Sequence, residues 1–201
     1  TGVRMEITTD KNTYTLSDGA MDLTASDRGL YRINVQLSEP PAPAEQKFVK
    51  VTEQSQIVAG GTYLIVSEKA ESSYYVAINS ISDGYLECKS INCDAEGCIE
   101  KTDEIMNYSA TLEAGTDSHA GKYAIKVSGL GYLKAPSNAT DYFWGITVTD
   151  GKVLIASHEF KFAGEPTGRT GGIGFFTGKK NFGVFAPESE DYKQAQLFRL
   201  Q

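Results

Sequence analysis

Glycine and lysine crowd together in GRTGGIGFFTGKKNFGVF, residues 168–185, a mixture that can wrap a phosphate. A nucleotide-binding P-loop needs G-x-x-x-x-G-K-[ST], whose backbone amides and lysine cradle phosphate while the hydroxyl holds Mg²⁺. Counted back from Gly178-Lys179, the first glycine position is occupied by Ile173 and the hydroxyl position by Lys180. Both requirements fail. Polar Thr177–Asn181 lies between apolar Gly174-Phe-Phe176 and Phe182-Gly-Val-Phe185, so the stretch is expected to be a β-hairpin.

Thiols, imidazoles and carboxylates are the next candidates for chemistry. Cys88, Cys93 and Cys98 are too widely spaced for the usual paired zinc ligands, and neither His119 nor His158 completes a motif, so no metal is expected. Cys93 and Cys98 enclose Asp-Ala-Glu-Gly, a turn that would let them form a disulfide in an exported protein. Three reduced thiols is the plainer alternative. Ser118-His119 and Ser157-His158 are adjacent pairs; on a strand, neighbours point to opposite faces, so neither pair is expected to form its own Ser–His hydrogen bond. The chain lacks the G-x-S-x-G elbow. Glycoside hydrolysis needs two opposed carboxylates, and 26 acidic residues are too many for sequence to single out a pair. Asp103-Glu104 and the acidic run 188–191 are expected on solvated turns. No catalytic residue and no cofactor is assigned.

Asn138-Ala-Thr-Asp-Tyr-Phe-Trp144 is the stretch best suited to binding. Sugar rings present apolar C–H faces that stack on aromatic side chains, while amides and carboxylates take the hydroxyls. Asn138, Asp141, Tyr142 and Trp144 are therefore the candidate ligand-binding residues. Strand alternation would put Tyr142 and Trp144 on one face and Phe143 on the other, and one of those faces must be core. A lone tryptophan in a β-domain commonly fills the core instead.

The elements that must position these groups read as strands from end to end. Runs such as 31–37, 62–66, 74–78, 123–127, 144–148, 152–155 and 196–200 are rich in β-branched and aromatic residues and are separated by turn-forming residues. The best helix candidate, 103–114, reads equally well as a strand. Glu39-Pro-Pro-Ala-Pro-Ala-Glu45 carries three of the six prolines and cannot be a central strand. It divides the chain into a small β appendage or partial immunoglobulin-like domain (1–39), a linker (40–45) and an all-β domain (46–201). Repeated Gly/Asp-Tyr-Leu phrases at 61–64, 83–86 and 131–133 suit a β-trefoil-like domain; a two-sheet β-sandwich is the alternative. Lectin trefoils use Gln-x-Trp, and here Gln196-Leu-Phe198 is a single weakened copy.

With 40% hydrophobic and 22% charged residues, the 201-residue chain has an ordinary globular composition. Its net charge of −7 opposes a nucleic-acid footprint, and it has no apolar run long enough for a membrane helix. Thr1-Gly2-Val3 begins without the features of a signal peptide, so an export signal is expected outside these residues.

The order of Phe48–Val51, Thr62–Val66, Tyr123–Val127, Gly131–Leu133, Gly151–Ile155 and Ala195–Leu200 resembles the secreted all-β accessory modules that gut Bacteroidetes append to surface lipoproteins and hydrolases. The resemblance spans about 46–201. It implies export or anchorage at the outer surface and a non-catalytic role, with a glycan or a host or surface protein as partner. The alternatives are a carboxylate-dependent hydrolase acting on sugars, and a structural spacer or protein-binding domain.

Overall fold

The structure, a computed structural model, describes residues 6–8, 13–15, 45–70, 72–82, 85–134, 142–162, 169–185 and 190–201, with backbone alone at 6–8, 13–15, 158–162 and 169–170. The chain divides into two compact units, Thr1–Ala44 and Glu45–Gln201, at a boundary inside the proline-rich stretch. In the first unit the described residues form one hairpin, β1 (Glu6–Thr8) with β2 (Thr13–Thr15). The strand expected at 31–37 lies outside the described residues.

The second unit begins with β3 (Lys47–Lys50) and a 3-10 turn at Gln54–Gln56. Then come β4 (Thr62–Ala70), β5 (Ser73–Ser82), β6 (Tyr85–Asn92) and β7 (Ile99–Glu100). Helix α1 (Asp103–Asn107) precedes β8 (Ala110–Ala114), a second 3-10 turn (Asp117–His119), β9 (Tyr123–Val127) and β10 (Gly131–Tyr132). The chain closes with β11 (Phe143–Thr149), β12 (Lys152–Phe162), β13 (Arg169–Phe176), β14 (Asn181–Phe185), β15 (Tyr192–Gln194) and β16 (Gln196–Leu200). The protein is all-β, and every described strand pair is antiparallel. Among the described residues no helix is long and apolar enough to cross a membrane.

Pairing returns on itself. From β4 it passes through β5, β6, β14, β13, β12, β11, β9 and β8, and β8 pairs β4 again. A circuit of this kind leaves few backbone N–H and C=O groups on open edges. From the other edge of β4 the sheet continues through β16 and β3 to β7. β4 is therefore covered on both faces: Tyr63 and Ile65 enter the larger core, Leu64 and Val66 a second core with Phe48, Ile99, Ile105 and Phe198. Burial on both faces explains why Tyr63-Leu-Ile-Val66 is continuously apolar, where a half-buried strand would alternate.

The segment 103–114 resolves into both readings in succession. Thr102 caps α1 by accepting the Ile105 N–H at 3.2 Å, with Asp103 and Glu104 in the first turn, where carboxylates suit the helix N-terminus. After Ser109 the chain becomes extended, and β8 pairs β9 in register.

The glycine-dense stretch is a hairpin, with Phe176 opposite Asn181 and Lys180 at φ 54° in the turn. Its glycines make room for rings. A Cβ on Gly174 would come within 2.6 Å of the Tyr192 ring, and one on Gly183 would collide with the Tyr85 ring. Tyr85 and Tyr192 both pack on Phe185, at centroid distances of 6.0 and 4.6 Å. Close approach of aromatic rings, rather than of phosphate, is what these glycines serve.

One side chain acts as a strand substitute. β9 pairs β11 only at Phe143 and Trp144. Further along the same strand, the Gln54 side chain donates to the Ile146 carbonyl (3.2 Å) and accepts from the Val148 N–H (2.9 Å). A primary amide thus makes the two bonds a neighbouring peptide would make.

All three cysteines are free thiols. The turn from Cys93 to Cys98 is closed by Asp94 instead. Its carboxylate accepts from the Glu96 and Cys98 N–H groups (2.9 and 2.8 Å) and from Lys47 (2.8 Å). The Lys47 ammonium, followed by the Cys98 amide, holds the Asp94 carboxyl below the usual aspartate range. A folded-state value below the unfolded one stabilises the fold at pH above the unfolded pKa, and that contribution is lost as pH falls through the folded value. Thermal melts are thus expected to show Asp94→Asn with a lower Tm than the parent at pH 6 and a shallower decline towards pH 2. Equal slopes for the two chains would refute the assignment. Asp94, Glu96 and Cys98 bring their ligand atoms within 4.8 Å of one another, but Lys47 already supplies their counter-charge, reaching Glu96 at 3.6 Å. Burial raises the Cys88 and Cys98 thiol pKa values, and Cys88 donates to the Lys180 carbonyl at 3.0 Å. Protonated thiols are poor nucleophiles.

Candidate functional site

Alternation along β8 and β9 sorts their side chains. Ala110 and Leu112 point into the core, as do Ile125 and Val127, while Thr111, Glu113 and Lys126 point outward. Register then assembles a row across four strands: Thr62 lies opposite Thr111, Thr111 opposite Lys126, and Lys126 opposite Tyr132. Directly opposed residues share a face, so these four and Glu113 stand together on the outer surface. Thr62, Thr111, Glu113 and Lys126 line a groove of about 680 Å³ whose lining also includes Asn107, Ser128 and Gly131, the residue before Tyr132.

Tyr132 is tied to the groove's charges. Its hydroxyl donates to Glu113 Oε2 at 2.7 Å, and the Lys126 ammonium lies over its ring, 5.7 Å from the centroid. Lys126 and Glu113 form a loose ion pair at 3.6 Å. The carboxylate, accepting the phenol hydrogen bond, raises the Tyr132 pKa above the ordinary tyrosine value. The ring is 38% exposed, one of the few large apolar side chains to reach that level among the described residues.

From Tyr132 a column of stacked rings runs across the surface. Tyr132 stacks on Tyr142 (4.7 Å between centroids), Tyr142 on Phe143 (4.9 Å), and Phe143 on the His119 imidazole (4.2 Å). Interior faces of such a column are taken by neighbouring rings, and Lys126 lies over the Tyr132 ring, so at that end a ligand meets the ring edge. The Tyr132 end adjoins the groove.

Several sequence expectations change here. Trp144 is 1% exposed, within the larger core, and its indole N–H donates to the Leu133 carbonyl at 3.1 Å. It therefore offers no surface to a ligand, and its expected binding role is withdrawn. β11 packs between β9 and β12, and the inward position of that pair falls on Trp144, which leaves Phe143 outside. Tyr142 precedes the strand and escapes its alternation, so its ring lies beside Phe143 rather than with Trp144. Asn138 and Asp141 lie outside the described residues. Ser118 and His119 sit on a 3-10 turn, not a strand, and the turn brings Ser118 Oγ to 3.2 Å from His119 Nδ1; the expectation that this pair could not bond is thus corrected. Ser157 is buried on β12, and the His158 side chain is outside the described residues.

Glu113, Lys126 and Tyr132 escaped the sequence reading. Alternation in 110–114 and 123–127 was a signal that Thr111, Glu113 and Lys126 face outward. What brings them beside Tyr132 is cross-strand register, which a single sequence does not carry. Comparison with known proteins gives no match, whether to a family model, a curated protein or a solved structure.

Proposed function

We propose that the second unit is a non-catalytic glycan-binding module, exported and displayed at the cell surface as the modules it resembles are. The observation that carries this reading is the Tyr132 ring standing beside a polar groove, with Glu113 and Lys126 bonded to it and to each other. A partly exposed aromatic ring, open along its edge and flanked by hydrogen-bonding groups, suits a sugar, which has apolar C–H groups and a rim of hydroxyls. The side chains of Thr62, Asn107, Thr111 and Ser128, which line the groove, make no hydrogen bond among the described residues, and so remain available to hydroxyls. Glu113 is the one carboxylate among the described lining residues, whereas the usual glycosidase needs two, which favours capture over turnover. We take residues 46–201 as β-trefoil-like; the reading needs only that the β8–β9–β10 face is outward, and a two-sheet sandwich would meet that need equally.

Titration calorimetry against a panel of host and plant oligosaccharides tests the proposal. Binding is expected, and Tyr132→Ala is expected to weaken it about ten-fold or more, as loss of a central aromatic contact does elsewhere. The melting curve should hardly move, since the ring belongs to neither core. A silent panel, or a Tyr132→Ala variant that binds as well as the parent, would overturn the reading.

A further inference from the structure

We propose that this groove selects neutral sugars and rejects anionic ones such as uronates and sulfated chains. The inference rests on the glycan reading and concerns its substrate class. Recognition of an anionic sugar requires a cation whose charge is unspent. Lys126 is the only cation among the described lining residues, and its charge is already divided between the Glu113 carboxylate and the Tyr132 ring. Glu113 in turn is fixed by the Tyr132 hydroxyl, so it cannot swing aside without breaking a 2.7 Å hydrogen bond. An incoming carboxylate or sulfate that approached Lys126 would have the Glu113 carboxylate as its neighbour, 3.6 Å from the same ammonium.

The rest of the lining fits hydroxyls. Thr62, Thr111, Asn107 and Ser128 each offer both a donor and an acceptor, and so match a sugar hydroxyl in either role without adding charge. The chain's net charge of −7 adds a long-range bias against polyanions. The Glu113–Lys126 pair next to the Tyr132 ring is a neutral but strongly polar wall. It can accept from one hydroxyl and donate to the next.

Calorimetry with two sets of probes tests the selectivity: neutral gluco-, manno-, galacto- and xylo-oligosaccharides, and oligogalacturonides with sulfated heparin fragments. The full chain is expected to bind at least one neutral probe ten-fold or more tighter than any anionic one, with an affinity that changes less than two-fold between 50 and 500 mM NaCl. Glu113→Gln keeps the shape, removes the repelling charge and frees Lys126, so it should weaken the neutral probe and strengthen the anionic ones, narrowing the gap. Preference for an anionic probe that is lost in Tyr132→Ala would overturn the charge selectivity while leaving the glycan site standing. An unchanged gap in Glu113→Gln would remove Glu113 as its cause and overturn the proposal as stated. Binding to neither set would overturn the glycan reading as well.

Discussion

Replacing Trp144 with alanine is expected to cost the second unit about 3–5 kcal/mol, the range for truncating a large buried aromatic side chain. Against a typical domain stability of about 5–15 kcal/mol, that is enough to leave a sizeable unfolded fraction at 37 °C. The ring is 1% exposed and sits on β11 opposite Tyr123 on one side and Ser157 on the other, so its removal opens a cavity that both neighbouring strands border. The Leu133 carbonyl also loses its indole donor. Trp144→Phe separates the two effects: it keeps a ring and removes the donor, and is expected to cost about 1–3 kcal/mol. Urea unfolding followed by far-ultraviolet circular dichroism measures both. As the chain's single tryptophan, Trp144 also reports on itself. Its emission is expected to be blue-shifted, poorly quenched by acrylamide and indifferent to a bound ligand. A Trp144→Ala protein with the parent's urea midpoint and no ligand affinity would instead put this residue at the surface.

Gly115→Ala is expected to cost about 1–3 kcal/mol by overpacking, although it adds only a methyl group. The new Cβ would collide with the His119 carbonyl oxygen and lie 2.8 Å from the His119 Cβ. That carbonyl cannot easily retreat, because it accepts from the Lys122 N–H at 3.0 Å, and the Gly115 N–H is itself bonded to the Lys122 carbonyl at 2.9 Å. The turn at 117–119 must therefore move, and with it the imidazole stacked on Phe143. NMR is expected to show the His119 ring protons losing the upfield shift that the Phe143 ring imposes, together with a lower urea midpoint. Gly145→Ala is the control: its Cβ would find nothing nearer than the Ala156 carbonyl at 3.9 Å, so the midpoint should stay within about 0.5 kcal/mol of the parent. If both variants melted alike, the close approach at Gly115 would not be what holds the turn.

Local rules were enough to find most strands, and much less of the site. Runs such as 123–127 and 196–200 alternate or crowd β-branched and aromatic side chains because they pack on one or both faces, and β9 and β16 fall there. The five-residue α1 was hidden because the next strand follows within three residues, although Thr102 before Asp103-Glu104 is an N-terminal capping signal. Trp144 and Tyr142 looked alike in sequence; which of two aromatic residues faces inward was decided by the strands on either side of β11. For Ser118 and His119 the error lay in the assumed backbone: a 3-10 turn puts neighbouring side chains close together, and a strand keeps them apart. Glu113, Lys126 and Tyr132 come from three separate strands, and only their hydrogen-bonded register makes them one surface.

The Gln54 side chain bears on how this protein behaves in a crowd. Exposed peptide groups along a strand's flank are sites where a second chain can dock and extend the sheet. By taking the Ile146 carbonyl and the Val148 N–H with its own amide, Gln54 leaves that flank with less to offer a stranger, at a stretch where a branched apolar residue would otherwise invite zippering. Many copies packed side by side would be kept apart there by a single uncharged side chain, without recourse to electrostatic repulsion.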